Sequence, residues 1–256
     1  MSTPTIRPGC EPFRFDRGPI GIVMVHGFTG SPASMRPMGT WFAEQSLSVI
    51  GVRLPGHGTT VEDLRHRPWT EWFSEVDAAL TELRDRCSTA VVLGQSMAAS
   101  LAVHLAASRP ESVDGLVLPS PYLFDPRHAL IPIGRRVLRT LKGFDRGDIK
   151  KPGQDEVAYD RLPVPGIVTM AALMKIARTE LSQVRAPALV FEPGKDHTIP
   201  ASNPRRVVEA LGSARKELVR CPESYHVITL DNDAPMVRER VLTFARGLAP
   251  APPRIT

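Results

Sequence analysis

Three residue types, set at three separated points of this chain, could together carry out nucleophilic chemistry at a carbonyl. "VVLGQSMAAS", Val91 to Ser100, puts Ser96 between an apolar run and an alanine-rich run. On that stretch alone two readings stand side by side: a serine N-cap opening a helix, or a nucleophile raised on a tight strand-to-helix turn. The second reading asks for small residues two positions before and two after the serine, so that neighbouring backbone can approach. Gly94 meets that demand, whereas Ala98 stands where glycine is usual. Further on, "EPGKDHTIP" sets Asp196 just past one apolar run, and "ESYHVITLD" sets His226 just past the next. Serine, aspartate and histidine in that chain order, each after an apolar run, suit a hydroxyl activated by an imidazole that a carboxylate orients. A fourth stretch, "HGFTGSP" from His26 to Pro32, has two glycines in a loop ahead of a helix pattern. Backbone N–H groups left free there can face a developing oxyanion, although the same glycines also suit an ordinary tight turn.

Positioning such residues is the task of the elements between them. Short apolar runs recur at "IGIVMV" from Ile20, "LSVIGVRL" from Leu47, "AVVLG" from Ala90, "GLVL" from Gly115, "ALVFEPG" from Ala188 and "KELVRC" from Lys216. Runs this short and continuous predict strands buried on both faces of a mostly parallel sheet. Helical patterns separate them: "SPASMRPMGTWFAEQ" with Ser31 as N-cap and Pro32 at the first position, "WTEWFSEVDAALTELRDR" from Trp69, "SMAASLAVHLAAS" from Ser96 and "NPRRVVEAL" from Asn203. The alternation predicts a doubly wound α/β fold, in which ligands sit beyond the carboxyl ends of the strands. It breaks between about Tyr122 and Leu181, where prolines and short helical patterns show no clear strand. A connection that long predicts an insertion over the sheet edge, with its last helix rejoining the core.

The 256 residues, 42% hydrophobic and 23% charged, suit one large domain or a domain with an insertion. A net charge of +5 would admit an anionic partner, but the basic residues are spread along the chain, and no nucleic-acid partner is expected. The charges from Arg135 to Lys151 read as a solvated face. Cys10, Cys87 and Cys221 lie far apart without metal or redox spacing, which fits a reducing compartment. No secretory h-region or membrane-spanning run occurs, so stable membrane insertion is not expected and a cytoplasmic location is.

Five stretches, "VHGFTGSP", "RLPGHG", "LGQSMA", "GKDHTIP" and "SYHVITLD", occur in the order found in the α/β-hydrolase superfamily. The chain resembles that superfamily, and within it the small bacterial carboxylesterases and monoacylglycerol lipases. The resemblance implies an α/β-hydrolase core over residues 1–121 and 182–247 and a cap insertion with a return helix over 122–181, while the Pro-rich "LAPAPPRIT" from Leu248, with little to bury, predicts a flexible tail over 248–256. The resemblance also implies Ser96 as nucleophile, His226 as general base and then acid, and Asp196 as the orienting carboxylate. Its oxyanion donors are the backbone N–H groups of Phe28 and Met97. The implied activity is hydrolysis of short to medium acyl esters through an acyl-enzyme, with monoacylglycerols among the candidate substrates, without metal or organic cofactor, in a monomer or homodimer.

Other chemistry-bearing residues have blander readings. His57 in "RLPGHG" reads as structural, and His197 is too close to Asp196 along a tight turn to be supported by it while reaching Ser96. Asp125 is a possible alternative acid, and Glu223 lies near His226 but less clearly at a strand end. The apolar residues of "PGIVTMAALMKI" fit core or, on a cap helix, an acyl-binding wall. Two competing functions follow: hydrolysis of a carbon–carbon bond by the same triad, or a binding protein whose elbow is crowded by Ala98.

Overall fold

The computed structural model describes residues 4–127, 139–143 and 147–249. Period-two alternation of side chains along the apolar runs decides how the molecule layers. Strand β2, Ile20–Val25, sends Val23 and Val25 to one buried cluster and Ile22 and Met24 to another. The pattern repeats in β4, Thr89–Gly94, where Val92 and the pair Val91 and Leu93 part company, and in β5, Gly115–Pro119, and β8, Ala188–Pro193. A sheet apolar on both faces must be covered on both, and it is.

On one face lie α3 (Trp69–Arg84), α4 (Ala98–Ser108), α5 (Val164–Glu180) and α6 (Asn203–Ala210). The short helix α2 (Val61–Arg65) adds Leu64 to the same cluster. On the other face, α1 (Arg36–Glu44) contributes Met38 and Phe42, and α7 (Ala234–Arg246) contributes Val237 and Val241. With β1 (Phe13–Phe15), β3 (Ser48–Val52) and β9 (Lys216–Cys221), the sheet has seven strands in the order β1-β3-β2-β4-β5-β8-β9. Every neighbouring pair is parallel except β1 and β3, where Phe13 opposes Gly51. This is the α/β-hydrolase fold, and β4, the strand before Ser96, is its central strand.

The six strands expected from the apolar runs are present, while β1 and α2 are additions too short to show a period. Two further three-residue strands, β6 (Thr140–Lys142) and β7 (Arg161–Pro163), pair antiparallel within the segment that joins β5 to β8. Three residues cannot display alternation, which is why no strand was legible there. The same segment ends in α5, whose Leu173, Met174 and Ala177 enter the core. Residues 128–138 and 144–146, with several of the basic charges read as solvated, lie outside the described residues, as does the tail from 250 onward. Arg139, Lys142, Lys150 and Lys151 are exposed. Leu248, expected in the tail, packs against the α7 cluster. Among the described residues, no helix is long and apolar enough to cross a membrane.

Candidate active site

The turn after β4 sets Ser96 ahead of the helix rather than at its cap. Its φ is +56°, in the left-handed region that few residues other than glycine occupy. Helix α4 begins at Ala98 with Met97 at the N-cap position, so Ser96 precedes the helix and its hydroxyl caps nothing. Surrounding hydrogen bonds hold the strained turn. The Ser96 N–H donates to the carbonyl of Pro119 at 3.0 Å, and Tyr122 N–H donates back to the Ser96 carbonyl at 3.0 Å. Gly94 is required because a Cβ there would stand 2.4 Å from the Ala98 carbonyl oxygen. Ala98, the first helical residue, is fully buried and has no positive φ, so the backbone makes no demand for glycine at that position.

His226 and Asp196 come to this turn from the ends of β9 and β8. His226 Nε2 lies 2.9 Å from Ser96 Oγ, and its Nδ1 lies 2.7 Å from Asp196 Oδ2. A carboxylate only accepts, so Nδ1 carries the proton and the Nε2 lone pair faces the serine hydroxyl. The second oxygen of Asp196 accepts the N–H groups of Thr198 and Ile199 at 2.8 and 2.9 Å. Burial opposes the charge on Asp196, yet the His226 imidazole and these hydrogen bonds hold its carboxyl below the usual range. Burial likewise depresses the His226 imidazole, but Asp196, then Glu156 and Asp148, raise it above its ordinary value. The His226 carbonyl accepts the Ser120 hydroxyl at 2.7 Å, and Thr229 Oγ1 donates to Gln95 Oε1 at 2.5 Å, tying the His226 loop to the ends of β5 and β4.

The "HGFTGSP" loop lies against the serine. A Cβ at Gly27 would stand 3.3 Å from Ser96 Cβ, so this glycine allows the close approach. His26 fixes the loop from behind: its Nδ1–H donates to the Gly27 carbonyl at 2.9 Å, and its Nε2 accepts the Leu54 N–H at 3.3 Å. Burial holds this imidazole neutral, with a pKa lowered to about 4. Among the described residues, no backbone carbonyl accepts the N–H of Phe28 or Met97. Ser31 does not cap the helix expected after it. A short 3-10 turn, Pro32–Ser34, intervenes, and the Ser31 hydroxyl donates to the Val157 carbonyl at 2.9 Å.

A cavity of about 390 Å³ opens over Ser96 and His226, within the range of small-molecule sites. Leu162, Ile167, Met170, Ile199 and Val227 give it apolar walls. Ile167 and Met170 belong to the expected apolar helix, and Met170 also joins the core. Glu156 lines the same cavity, and burial raises its carboxyl to about 7 against the lowering effect of His226. No motif marked Glu156, since it sits in the insertion where neither strand nor helix period flagged it.

The remaining histidines and acids are occupied elsewhere. His57 is buried in a ring cluster with His26, Phe28 and Trp72 and donates through Nδ1 to the Pro55 carbonyl. His197 turns to Asp148, at 2.8 Å. Asp125 binds the Tyr122 hydroxyl at 2.6 Å and the Arg127 guanidinium. Burial opposes its charge, but those partners lower its pKa to about 2. Glu223 pairs with Lys150 at the surface. Among the described residues, no cluster of three or more His, Cys, Asp or Glu side chains is arranged to hold a metal ion.

A parallel sheet wrapped by helices, with a serine on the turn after its central strand, defines an α/β-hydrolase. The chain belongs to the Hydrolase_4 family, described as "Serine aminopeptidase, S33", whose model matches residues 20–233. Among curated relatives, it is 36% identical over 236 residues to the thermostable monoacylglycerol lipase of Bacillus sp. (strain H-257), covering 92% of this chain and 94% of that protein. It is 22% identical over 240 residues to a carboxylesterase of Bacillus subtilis (strain 168), covering 93% and 97%. A solved structure from work on LipS and LipT, two metagenome-derived lipolytic enzymes, superposes with a TM-score of 0.90 at 35% identity, covering 95% of this chain and all of that one.

Proposed function

We propose that the protein is a serine carboxylic ester hydrolase that acts on short to medium acyl esters, monoacylglycerols included. The observation that carries this reading is the continuous Ser96–His226–Asp196 contact at the floor of an apolar-walled cavity. Ser96 Oγ attacks the ester carbonyl while His226 Nε2 takes its proton, and the charge developing on the carbonyl oxygen is met by the N–H groups of Phe28 and Met97. His226 then gives the proton to the leaving alcohol. A water, deprotonated by the same imidazole, releases the acid from Ser96 and restores the hydroxyl. Asp196 keeps Nδ1 protonated and supports the imidazolium in both half-reactions. The 2.9 Å contact between Ser96 and His226 with Ala98 in place argues against a binding protein with a displaced serine.

The Glu156 carboxyl supports the monoacylglycerol reading. Among the described residues, no hydrogen-bond donor meets it, it lines the cavity, and its charge helps to raise the His226 imidazole. A polyol leaving group brings hydroxyl donors that a buried carboxyl without a hydrogen-bond partner lacks. We place the enzyme in the cytoplasm, as a monomer or homodimer. The test is hydrolysis of p-nitrophenyl esters from acetate to palmitate, and of monoacylglycerols, by native protein and Ser96→Ala. Activity that falls at least about a thousandfold in the variant supports the assignment. Equal activity in both proteins overturns it.

A further inference from the structure

The two loops that carry Asp196 and His226 both lean on residues 147–151, a strap within the segment between β5 and β8. Asp148 is its anchor, with a side chain only 7% exposed. One carboxylate oxygen accepts the His197 backbone N–H at 2.9 Å, and the other accepts His197 Nδ1–H at 2.8 Å, which fixes the residue directly after Asp196. The Asp148 carbonyl accepts the Val227 N–H at 3.1 Å, which fixes the residue directly after His226. The strap is then stitched down by a second buried carboxylate. Asp231 accepts the N–H groups of Lys150 and Lys151 at 2.7 and 2.8 Å, and also that of Tyr225, the residue before His226, at 2.8 Å. Gly147 bends the strap toward the base loop at φ +80°. A Cβ there would stand 2.9 Å from Glu156 Cβ and 3.6 Å from Val227 Cγ2.

Resting on the triad assigned above, we infer that Asp148 is a positioning residue for ester hydrolysis, clamping the Asp196 loop to the His226 loop. The insertion is thereby a working part of the catalytic apparatus as well as a wall of the cavity. Hydrogen bonds to a buried carboxylate are among the stronger ones. A displacement of about 1 Å in the reacting groups can cost about a hundredfold in rate. Asp148 touches neither serine nor substrate carbonyl; it acts through the geometry of the two loops.

The experiment measures kcat and KM for a p-nitrophenyl ester with the full chain carrying D148A or D148N, per mole of folded protein by circular dichroism. Ser96→Ala is measured alongside. In D148N, the amide oxygen takes the His197 N–H and its amino group donates to Nδ1 of the other imidazole tautomer, so the clamp survives without the charge. The expected result is a kcat about 30-fold lower in D148A with KM within about threefold, and a kcat within about threefold of native in D148N. If D148A does not fold, D231N takes its place, since its amide keeps one acceptor oxygen where Asp231 uses both, on the N–H groups of Lys150, Lys151 and Tyr225. It is expected to lower kcat about fivefold with little change in KM. The proposal is overturned by a native kcat in folded D148A, by a D148N as impaired as D148A, or by an unchanged D231N. Activity retained in Ser96→Ala would instead overturn the triad reading, whatever Asp148 does.

Discussion

At the scale of single residues, the site is governed by which nitrogen of each imidazole carries a proton. His226 must be neutral at Nε2 to accept from Ser96, and its neighbours raise its pKa above the ordinary value. The base form is therefore lost as pH falls through that raised value. The acid limb of kcat/KM is expected above about pH 6.5, the unperturbed histidine value. Glu156→Gln removes one of the negative charges that hold His226 up, so the limb should move to lower pH. A pH–rate profile of native and variant protein checks both, and a limb that stays in place in the variant would remove Glu156 from the electrostatics of the base. The Ser96, Asp196 and His226 pattern was legible in the sequence because each follows an apolar run. Glu156 and Asp148 were not, because their roles arise only when the insertion folds back over strand ends far away in the chain.

At the scale of elements, the elbow separates two small residues that sequence alone treats alike. Gly94 faces the Ala98 carbonyl, so Gly94→Ala forces the first turn of α4 away from β4 and moves Ser96 with it. Ala98 is an ordinary helical residue, and Ala98→Gly costs only about 1 kcal/mol of helix propensity. Expected outcomes in a paired measurement of turnover and thermal midpoint are a fall in kcat of at least about tenfold for Gly94→Ala, and a kcat within about threefold for Ala98→Gly. A large gain in rate on Ala98→Gly would instead mean that alanine crowds the elbow. The apolar runs that became β2, β3, β4, β5 and β8 were readable because strands covered on both faces must be continuously apolar, whereas β9, expected to be buried in the same way, lies at the sheet edge and leaves Lys216, Glu217 and Arg220 exposed. Edge strand β1 and the β6–β7 hairpin carry three residues each, too few for any period, and Ser31 misled because its hydroxyl is claimed by Val157 across 126 residues.

At the scale of the whole molecule, two buried imidazoles set the response to acid. His26 has a pKa lowered to about 4 by burial, and His57 is also held well below its ordinary value, chiefly by burial. Between the unfolded value and the native one, the unfolded chain binds the proton and the native chain does not. Stability from His26 is thus full above about pH 6.5 and declines as pH falls toward 4, by on the order of 3 kcal/mol. His226, with its raised pKa, has the opposite sign: its contribution is full below the unfolded value and declines as pH rises through the native one. Glu156, whose carboxyl burial raises to about 7, has the same sign as His226 and gains stability as pH falls from about 7 toward 4.5, so it offsets part of what His26 and His57 lose. The thermal midpoint is expected to fall between about pH 7 and about pH 4.5 more steeply in Glu156→Gln, which lacks the opposing carboxyl, than in native protein, and a flat profile in that variant would contradict the buried neutral assignment. The sheet order carries one more consequence. Strand β8 pairs with β5 across about 70 intervening residues, whereas β2, β3 and β4 with α3 come from the front of the chain. Emission from the buried Trp72 on α3 therefore reports the assembly of that front half. Regained turnover reports something later, the moment when the most distant stretches of the chain have found one another, and the enzyme's own reaction becomes a clock for the completion of its folding.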